Sequence, residues 1–359
     1  MWVKYLQINN LRNITNADLQ AHPKLNVFYG DNGAGKTSIL EAVILLAKGK
    51  SFRAGSMGSL IGPATDTARV VARVAEEGGA EHQLGLERSV GGWRGRLDGG
   101  DVAQISELAQ RLPFALLEPG SHLLVSGPPE TRRRFLDWGV FHVEHRHLDT
   151  WRRYARAVRQ RNAALRMAKR SLVASLDPQL VEFGESLDQA RNRFIIDLQE
   201  VLAGLLAELS PQLPPVSARY LRGWREERLS EALASGLERD LERGVTSSGP
   251  HRADLLLEID GMAARERLSR GEQKILAAAM VLAQAEIIRR GGSRPLLLLD
   301  DLASEFDAGH VERVIHTGMA MQAQAWITGT SKAALTVCAP REASVFHVEH
   351  GRVAPLEAS

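Results

Sequence analysis

The chain has 359 residues, 44% of them hydrophobic and 25% charged, and a formal net charge of +2. These proportions exclude wholesale disorder and suit a globular protein large enough for two lobes, while the near-neutral balance by itself points to no partner class. A single cysteine, Cys338, excludes an internal disulfide and a cysteine-built zinc site.

In chain order, Val3 to Ile8 alternates like a strand, and Lys24 to Gly30, with Leu25, Val27 and Phe28 apolar, predicts a second one. Next comes Gly30-Asp31-Asn32-Gly33-Ala34-Gly35-Lys36-Thr37, which fits the P-loop pattern in full and leads through Ser38 into a helix-prone run, Ile39 to Ala47. Glycines let successive backbone N–H groups turn toward phosphate oxygens, and a helix starting near Lys36 adds the positive end of its dipole there. The pattern therefore predicts an ATP site. Lys36 reaches the β- and γ-phosphates, and Thr37 offers a hydroxyl to Mg2+.

From Ala68 to Gly100, short alternating runs broken by glycine pairs predict an antiparallel meander. Between Ser121 and Gly244 the text turns helical, with Pro211 to Pro215 as its one evident linker. The expected organisation is thus an α/β lobe formed by 1–120 and 245–359, with a helical lobe, 121–244, inserted. Val140 to His145 and Val345 to His350 share six residues, a match read as coincidence.

The helical text carries two features. From Arg146 to Arg170 there are nine Lys/Arg against one acid, Asp149, and Arg152, Arg156, Arg159, Arg166 and Arg170 fall at helical spacing. Such a stripe suits DNA phosphates, read without sequence code; the alternative is a solvated basic face. Trp151, Tyr154, Val158 and Leu165 form the neighbouring apolar stripe, expected to pack inward. His142, His145 and His147 crowd together, but their offsets do not share one helical face, so ordinary helix positions are favoured over a metal site.

Beyond Gly244, Leu268-Ser269-Arg270-Gly271-Glu272 opens a long helix ending near Arg290. Ser269 and Glu272 have capping-box spacing, and Ser-x-Gly at a helix start is equally a second anion site. Ile275 to Ile288 is the longest apolar-rich segment; it contains Gln284 and Glu286 and is too short to cross a bilayer. With no signal-peptide pattern at the start either, a cytoplasmic protein is expected. Four leucines, Leu296 to Leu299, then predict a central strand buried on both faces, ending in Asp300 and Asp301. Asp300 is placed to hold Mg2+ and Asp301 to orient or deprotonate water. Ala325 to Thr328 predicts one more strand.

Together these segments resemble the ABC ATPase superfamily. The resemblance makes Ser269, with Gly271, the signature loop that caps the γ-phosphate of nucleotide on a partner copy, and so implies an ATP-dependent homodimer. It makes Ala303-Ser304-Glu305-Phe306-Asp307 the D-loop, and puts the γ-phosphate switch at Thr330 or, second, Thr328. An aspartate at 301 where many relatives carry glutamate, and a threonine where histidine is usual, imply slow hydrolysis: a switch rather than a motor.

Three further blocks narrow the match. Leu117-Glu118-Pro119 through Arg132-Arg133-Arg134-Phe135-Leu136-Asp137, then Tyr154 to Leu165, then Gly249-Pro250-His251-Arg252-Ala253-Asp254-Leu255 resemble the RecF family of recombination mediators, with Ala253 where that family has an aspartate. The resemblance implies a P-loop ABC-type head with an antiparallel β subdomain and an inserted helical lobe. It also implies DNA bound at single-strand gaps, RecO and RecR as partners in loading RecA, and no membrane. Two rivals stand beside it: a transporter's ATPase subunit, and a nucleotide-gated protein scaffold. A nuclease is disfavoured, since no second acidic metal cluster is evident.

Overall fold

The structure, a computed structural model, describes residues 1–53, 59–62, 65–144, 146–332, 335 and 343–356. In chain order the elements are β1 (Trp2–Leu11), β2 (Ile14–Gln20), β3 (Leu25–Tyr29), α1 (Lys36–Lys48), β4 (Thr67–Ala75), β5 (Glu81–Ser89), β6 (Gly92–Leu97), β7 (Gly100–Asp101), α2 (Ile105–Gln110), β8 (Phe114–Leu117), α3 (Leu123–Ser126), α4 (Pro129–Val143), α5 (His147–Arg166) and α6 (Arg170–Leu209). There follow β9 (Ser217–Leu221), α7 (Leu229–Ser235), α8 (Leu237–Arg243), β10 (Asp254–Ile259), β11 (Met262–Ala263), α9 (Ala264–Arg267), α10 (Arg270–Arg290), β12 (Leu296–Leu299), α11 (Leu302–Glu305), α12 (Ala308–Ala320), β13 (Ala325–Gly329), β14 (Ala343–Glu349) and β15 (Arg352–Pro355).

The chain divides into two units: Met1–Ser121, Glu208–Pro211 and Ala278–Ser359 form the first, His122–Ala207 and Gln212–Ala277 the second. In the first, one sheet has the order β15-β14-β3-β13-β12-β8, with β14, β3, β13, β12 and β8 parallel. The other is the expected antiparallel meander, β2-β1-β4-β5-β6-β7. Helix α1 packs on β1, β4 and β5 of the meander and on β13 of the parallel sheet. That sandwich explains why Ile39 to Ala47 is buried along its whole length rather than on one stripe. The four leucines of β12 are likewise fully buried, as a central parallel strand requires.

The second unit is helical with a small sheet of order β11-β10-β9. Tyr154, Ala157, Leu180, Leu187, Leu229, Ala232 and Leu233 form one of its cores. Two expectations need correction here. The helical text contains a strand, β9, and because β10 pairs with it antiparallel (Leu256 opposite Arg219), the segment after Gly244 up to Ala277 belongs to this unit rather than to the α/β unit. Trp151 does not pack inward with Tyr154 and Leu165; it is 42% exposed.

Candidate nucleotide site and nucleic-acid surface

Parallel strands bring their carboxyl ends to one edge, and register decides which residues share it. Leu299 lies opposite both Ile327 of β13 and Leu117 of β8, and Phe28 of β3 lies opposite Thr328. The next residues in line are Gly30 and the P-loop, Asp300 and Asp301, and Glu118. Open α/β sheets bind ligands at such an edge.

The P-loop itself is held from three sides. Asn13, in the turn between β1 and β2, donates from Nδ2 to the carbonyls of Gly33 and Ala34 at 3.1 and 3.0 Å. Gly351, in the turn between β14 and β15, donates its N–H to Ala34 O at 2.8 Å. Beneath it, Arg12 clamps the fully buried Glu41 of α1 through Nε–Oε2 at 2.9 Å and Nη2–Oε1 at 2.7 Å, a charge-assisted pair with two parallel bonds. The loop needs its glycines: Gly35 has φ +117, and a Cβ on Gly30 would lie 2.0 Å from Val348 O.

Within this cradle Lys36 is buried and donates from Nζ to the carbonyls of Gly30 and Asp31 at 2.8 and 2.9 Å. Burial holds its ammonium below the ordinary lysine pKa, opposed by Asp301, Asp300 and Asp31. Thr37 Oγ1 donates to the Asp300 carboxylate, 2.9 and 3.1 Å from its two oxygens. Thr328 Oγ1, fully buried, donates to Asp300 Oδ1 at 2.7 Å and accepts from the Asp301 N–H at 2.8 Å. Burial raises the Asp300 pKa, those two hydroxyls oppose the rise, and the Asp301 charge adds to it. Asp301 sits in the left-handed region at φ +51, and its Oδ1 is buried without a hydrogen-bond partner. A carboxylate oxygen in that state is costly unless another group engages it.

A cavity of about 270 Å3 opens on Arg12, Asn13, Asn32, Gly33, Gly35, Lys36, Thr37, Ser38, Arg53 and Asp301. Sequence reasoning named most of these; it missed Arg12, Asn13 and Arg53, whose roles depend on a fold that returns distant segments to the loop. It also missed Glu118, whose carboxyl is pushed up to about 7, chiefly by burial and then by the Asp300 charge. Thr330, the first choice for a switch residue, is exposed just past the end of β13, whereas Thr328 touches both aspartates. The hard oxygen set of Thr37 and Asp300 suits Mg2+.

Ser269 and Gly271 lie in the second unit. Ser269 N–H donates to Glu272 Oε2 at 2.8 Å and its Oγ accepts from Glu272 N–H at 3.3 Å, so the capping box is formed in both directions. Gly271 has no positive φ, and a Cβ there would meet nothing within 4 Å.

On α5, Arg152, Arg156, Arg159 and Arg166 are exposed. Arg161, between them, is fully buried and bonds Asp177, Asp240 and Thr246. Arg170 departs from the expected stripe: it begins the next helix, α6, after a turn with Ala168 at φ +53, and forms a double pair with Glu238 at 2.5 and 2.7 Å. His142 packs edge-on against Trp138, and His147 faces Asp137 at 3.4 Å. His145 and Cys338 lie outside the described residues, and among those described no cluster of metal-ligating side chains is found.

The family described as "RecF/RecN/SMC N terminal domain" matches residues 2–354. The chain is 42% identical to the DNA replication and repair protein RecF of Stenotrophomonas maltophilia, over 98% of this chain and 99% of that one. It is 37% identical to RecF of Coxiella burnetii, over 99% of each. It superposes with a TM-score of 0.89 on a solved structure of the recombination mediator protein RecF-ATP in the RecFOR pathway, 25% identical, covering 99% of this chain and 97% of that one. An SMC head matches at 0.59 and 16% identity, a likeness of fold alone. Among the described residues no helix is long and apolar enough to cross a membrane.

Proposed function

The chain belongs to the RecF/RecN/SMC N-terminal family and, within it, to the RecF proteins, and from that premise we propose that it is an ATP-gated DNA-binding protein of replication and recombinational repair. The observation that carries the reading is the hydrogen-bonded row Thr37–Asp300–Thr328–Asp301 beside Lys36. That row at the sheet edge supports a site for phosphate and a cation.

In this reading Lys36 leaves the loop carbonyls for the β- and γ-phosphates, and the amides of Gly33 to Thr37 hold the phosphate chain. Thr37 and Asp300 would hold Mg2+, which neutralises charge on the phosphates when bound. The unpartnered Asp301 oxygen orients the attacking water. Thr328 fixes both aspartates, which favours it over Thr330 as the link between strand end and nucleotide. Ser269 and Gly271 serve the nucleotide of a second copy. The open space around Gly271 supports this, because glycine in a helix costs about 0.5–1 kcal/mol and nothing within this chain requires it. Two copies close with ATP on DNA held at Arg152, Arg156, Arg159 and Arg166, and slow hydrolysis reopens them. RecO- and RecR-type proteins are the expected partners in loading a recombinase at gaps.

The test is fluorescence anisotropy with gapped duplex DNA at fixed salt, with and without ATP and Mg2+, for the natural protein and Lys36→Met. ATP should tighten binding for the natural protein alone. Equal affinity in all four cases would move the reading to a nucleotide-gated scaffold whose ligand is protein.

A further inference from the structure

The block Gly249 to Asp254, part of the family resemblance, takes no part in the nucleotide site. It builds a groove instead. Gly223, at φ +94, lets the turn 222–225 press against it: a Cβ there would lie 2.3 Å from Gly249 O and 2.8 Å from Ala253 N. From the other side Tyr154 of α5 meets His251 Nδ1 at 2.7 Å, and burial drives the His251 pKa down to about 4, so this ring serves as a neutral strut. A cavity of about 1110 Å3 opens along this turn, beside Tyr220, Arg239, Ser247 and Arg252, against about 270 Å3 at the P-loop. That space suits whole nucleotides rather than a lone phosphate.

Its charge is unusual for this unit. Arg132, Arg161, Arg170, Arg191, Arg193 and Arg219 each meet a carboxylate within 2.8 Å. The groove is lined by Arg222, Arg225, Arg239 and Arg252, and no carboxylate among the described residues lies within ion-pair distance of any of them. Two are fixed by neutral groups: Arg239 donates to Ser247 Oγ at 2.9 Å, and Arg222 donates to the backbone carbonyls of Glu226 and Glu227. Their guanidinium groups are positioned without a direct ion pair. Two acids, Asp188 and Glu226, also line the groove; Asp188 feels the Arg222 charge and Glu226 that of Arg239, so four arginines face two carboxylates and the groove keeps an excess of positive charge. Trp224 is half-buried against the core around Tyr154 and Leu180, with the Arg222 guanidinium 5.0 Å over its ring at the groove.

An excess of arginines beside an aromatic ring is what phosphodiesters and unstacked bases require. We propose that this groove binds a single-stranded nucleic-acid segment, with Arg225, Arg239 and Arg252 on phosphates and a base stacked at Trp224. It is a site separate from the α5 stripe, tied to that helix through Tyr154. A duplex bound at the stripe and a strand leaving it would be held by the same unit.

The test uses the full chain at one fixed ATP concentration, with a short oligothymidylate and a blunt duplex as separate probes. Arg225 and Arg252 are both exposed, so Arg225→Glu with Arg252→Glu should leave the melting temperature and ATP binding unchanged. Oligothymidylate affinity should fall about tenfold or more and its salt slope by about 1.4, the loss of two single-strand phosphate contacts, with duplex affinity unmoved. Trp224→Leu, which keeps an apolar side chain against the core, should also weaken the oligothymidylate about tenfold, with its salt slope intact. An unchanged single-strand affinity overturns the proposal and leaves an acidic protein segment as the groove's occupant. Equal loss for both probes also overturns it, since the groove would then be part of a general basic surface. Neither result depends on the ATP response tested with Lys36→Met, so the two readings fail separately.

Discussion

Thr328 donates its hydroxyl proton to Asp300 Oδ1 at 2.7 Å from a strand position with no solvent exposure. Thr328 Oγ1 in turn accepts the Asp301 N–H, so one side chain sets the orientation of both acids. Thr328→Val keeps the shape, removes a donor from a buried carboxylate and strands a backbone N–H. It should lower the unfolding free energy of the nucleotide-free protein by about 1–3 kcal/mol. Thr330→Val, at an exposed position, should stay within about 0.5 kcal/mol of the natural protein. Denaturant titrations give both numbers, and ATP turnover of the same pair decides which threonine senses the γ-phosphate. Loss of turnover in Thr330→Val alone would return that role to the residue the sequence pointed to first.

Glu118 offers a pH test. Its carboxyl titrates near 4.5 when free and about 7 in the fold, raised by burial first and the Asp300 charge second. Between those values the folded protein binds more protons than the unfolded one. Glu118 therefore costs nothing below about pH 4.5, and stability is lost as pH rises through about 7. Glu118→Gln removes the cost. Without nucleotide or Mg2+, the variant should match the natural protein at about pH 4 and exceed it by on the order of 1–3 kcal/mol at pH 8. A constant difference across that range would show that the carboxyl stays ionised throughout.

How legible was this site? The parts written in contiguous residues were: the P-loop, the leucine strand with its aspartate pair, and the Ser269–Glu272 cap were all in place, because local geometry follows from local sequence. The parts that rest on register were not. Nothing in Arg12-Asn13 announces that a β1–β2 turn will hold the loop's carbonyls, and Thr328 outranks Thr330 only because Leu299 falls opposite Ile327. Strand β9 was hidden for a related reason. Ser217 to Leu221 alternates between exposed and half-buried positions in arginine-rich text, so it carries no apolar signature, and only its pairing with β10 makes it a strand.

Gly271 separates folding from association. In a monomer its replacement by alanine meets open space and gains helix propensity, so Gly271→Ala should leave stability equal or raise it by about 0.5–1 kcal/mol. If the loop instead faces nucleotide on a second copy, the added methyl occupies the approach of the phosphates. ATP-dependent dimerisation, followed by sedimentation velocity, should then fall sharply while ATP binding to the monomer persists. A variant that dimerises as the natural protein does would leave the Ser269 segment as a helix cap and no more.

The arginines of the basic stripe should not be equivalent. Arg152, Arg156 and Arg159 share one exposed face of α5, whereas the guanidinium of Arg170, one helix on, is already matched by both oxygens of Glu238. A guanidinium so paired must give up that partner before it can serve a phosphate, so its net contribution to DNA is small. Changing Arg152, Arg156 and Arg159 together to glutamate should cost duplex affinity by about two orders of magnitude or more. The slope of log K against log salt should drop by about 2.7, three phosphate contacts at about 0.9 each. Arg170→Glu should leave that slope unchanged. If the triple variant keeps its duplex affinity while ATP still closes the dimer, the stripe is a solvated face and duplex DNA is held elsewhere. If Arg170→Glu alone lowers the slope by about 0.9, the Glu238 pair opens on binding and Arg170 rejoins the stripe that its spacing first suggested.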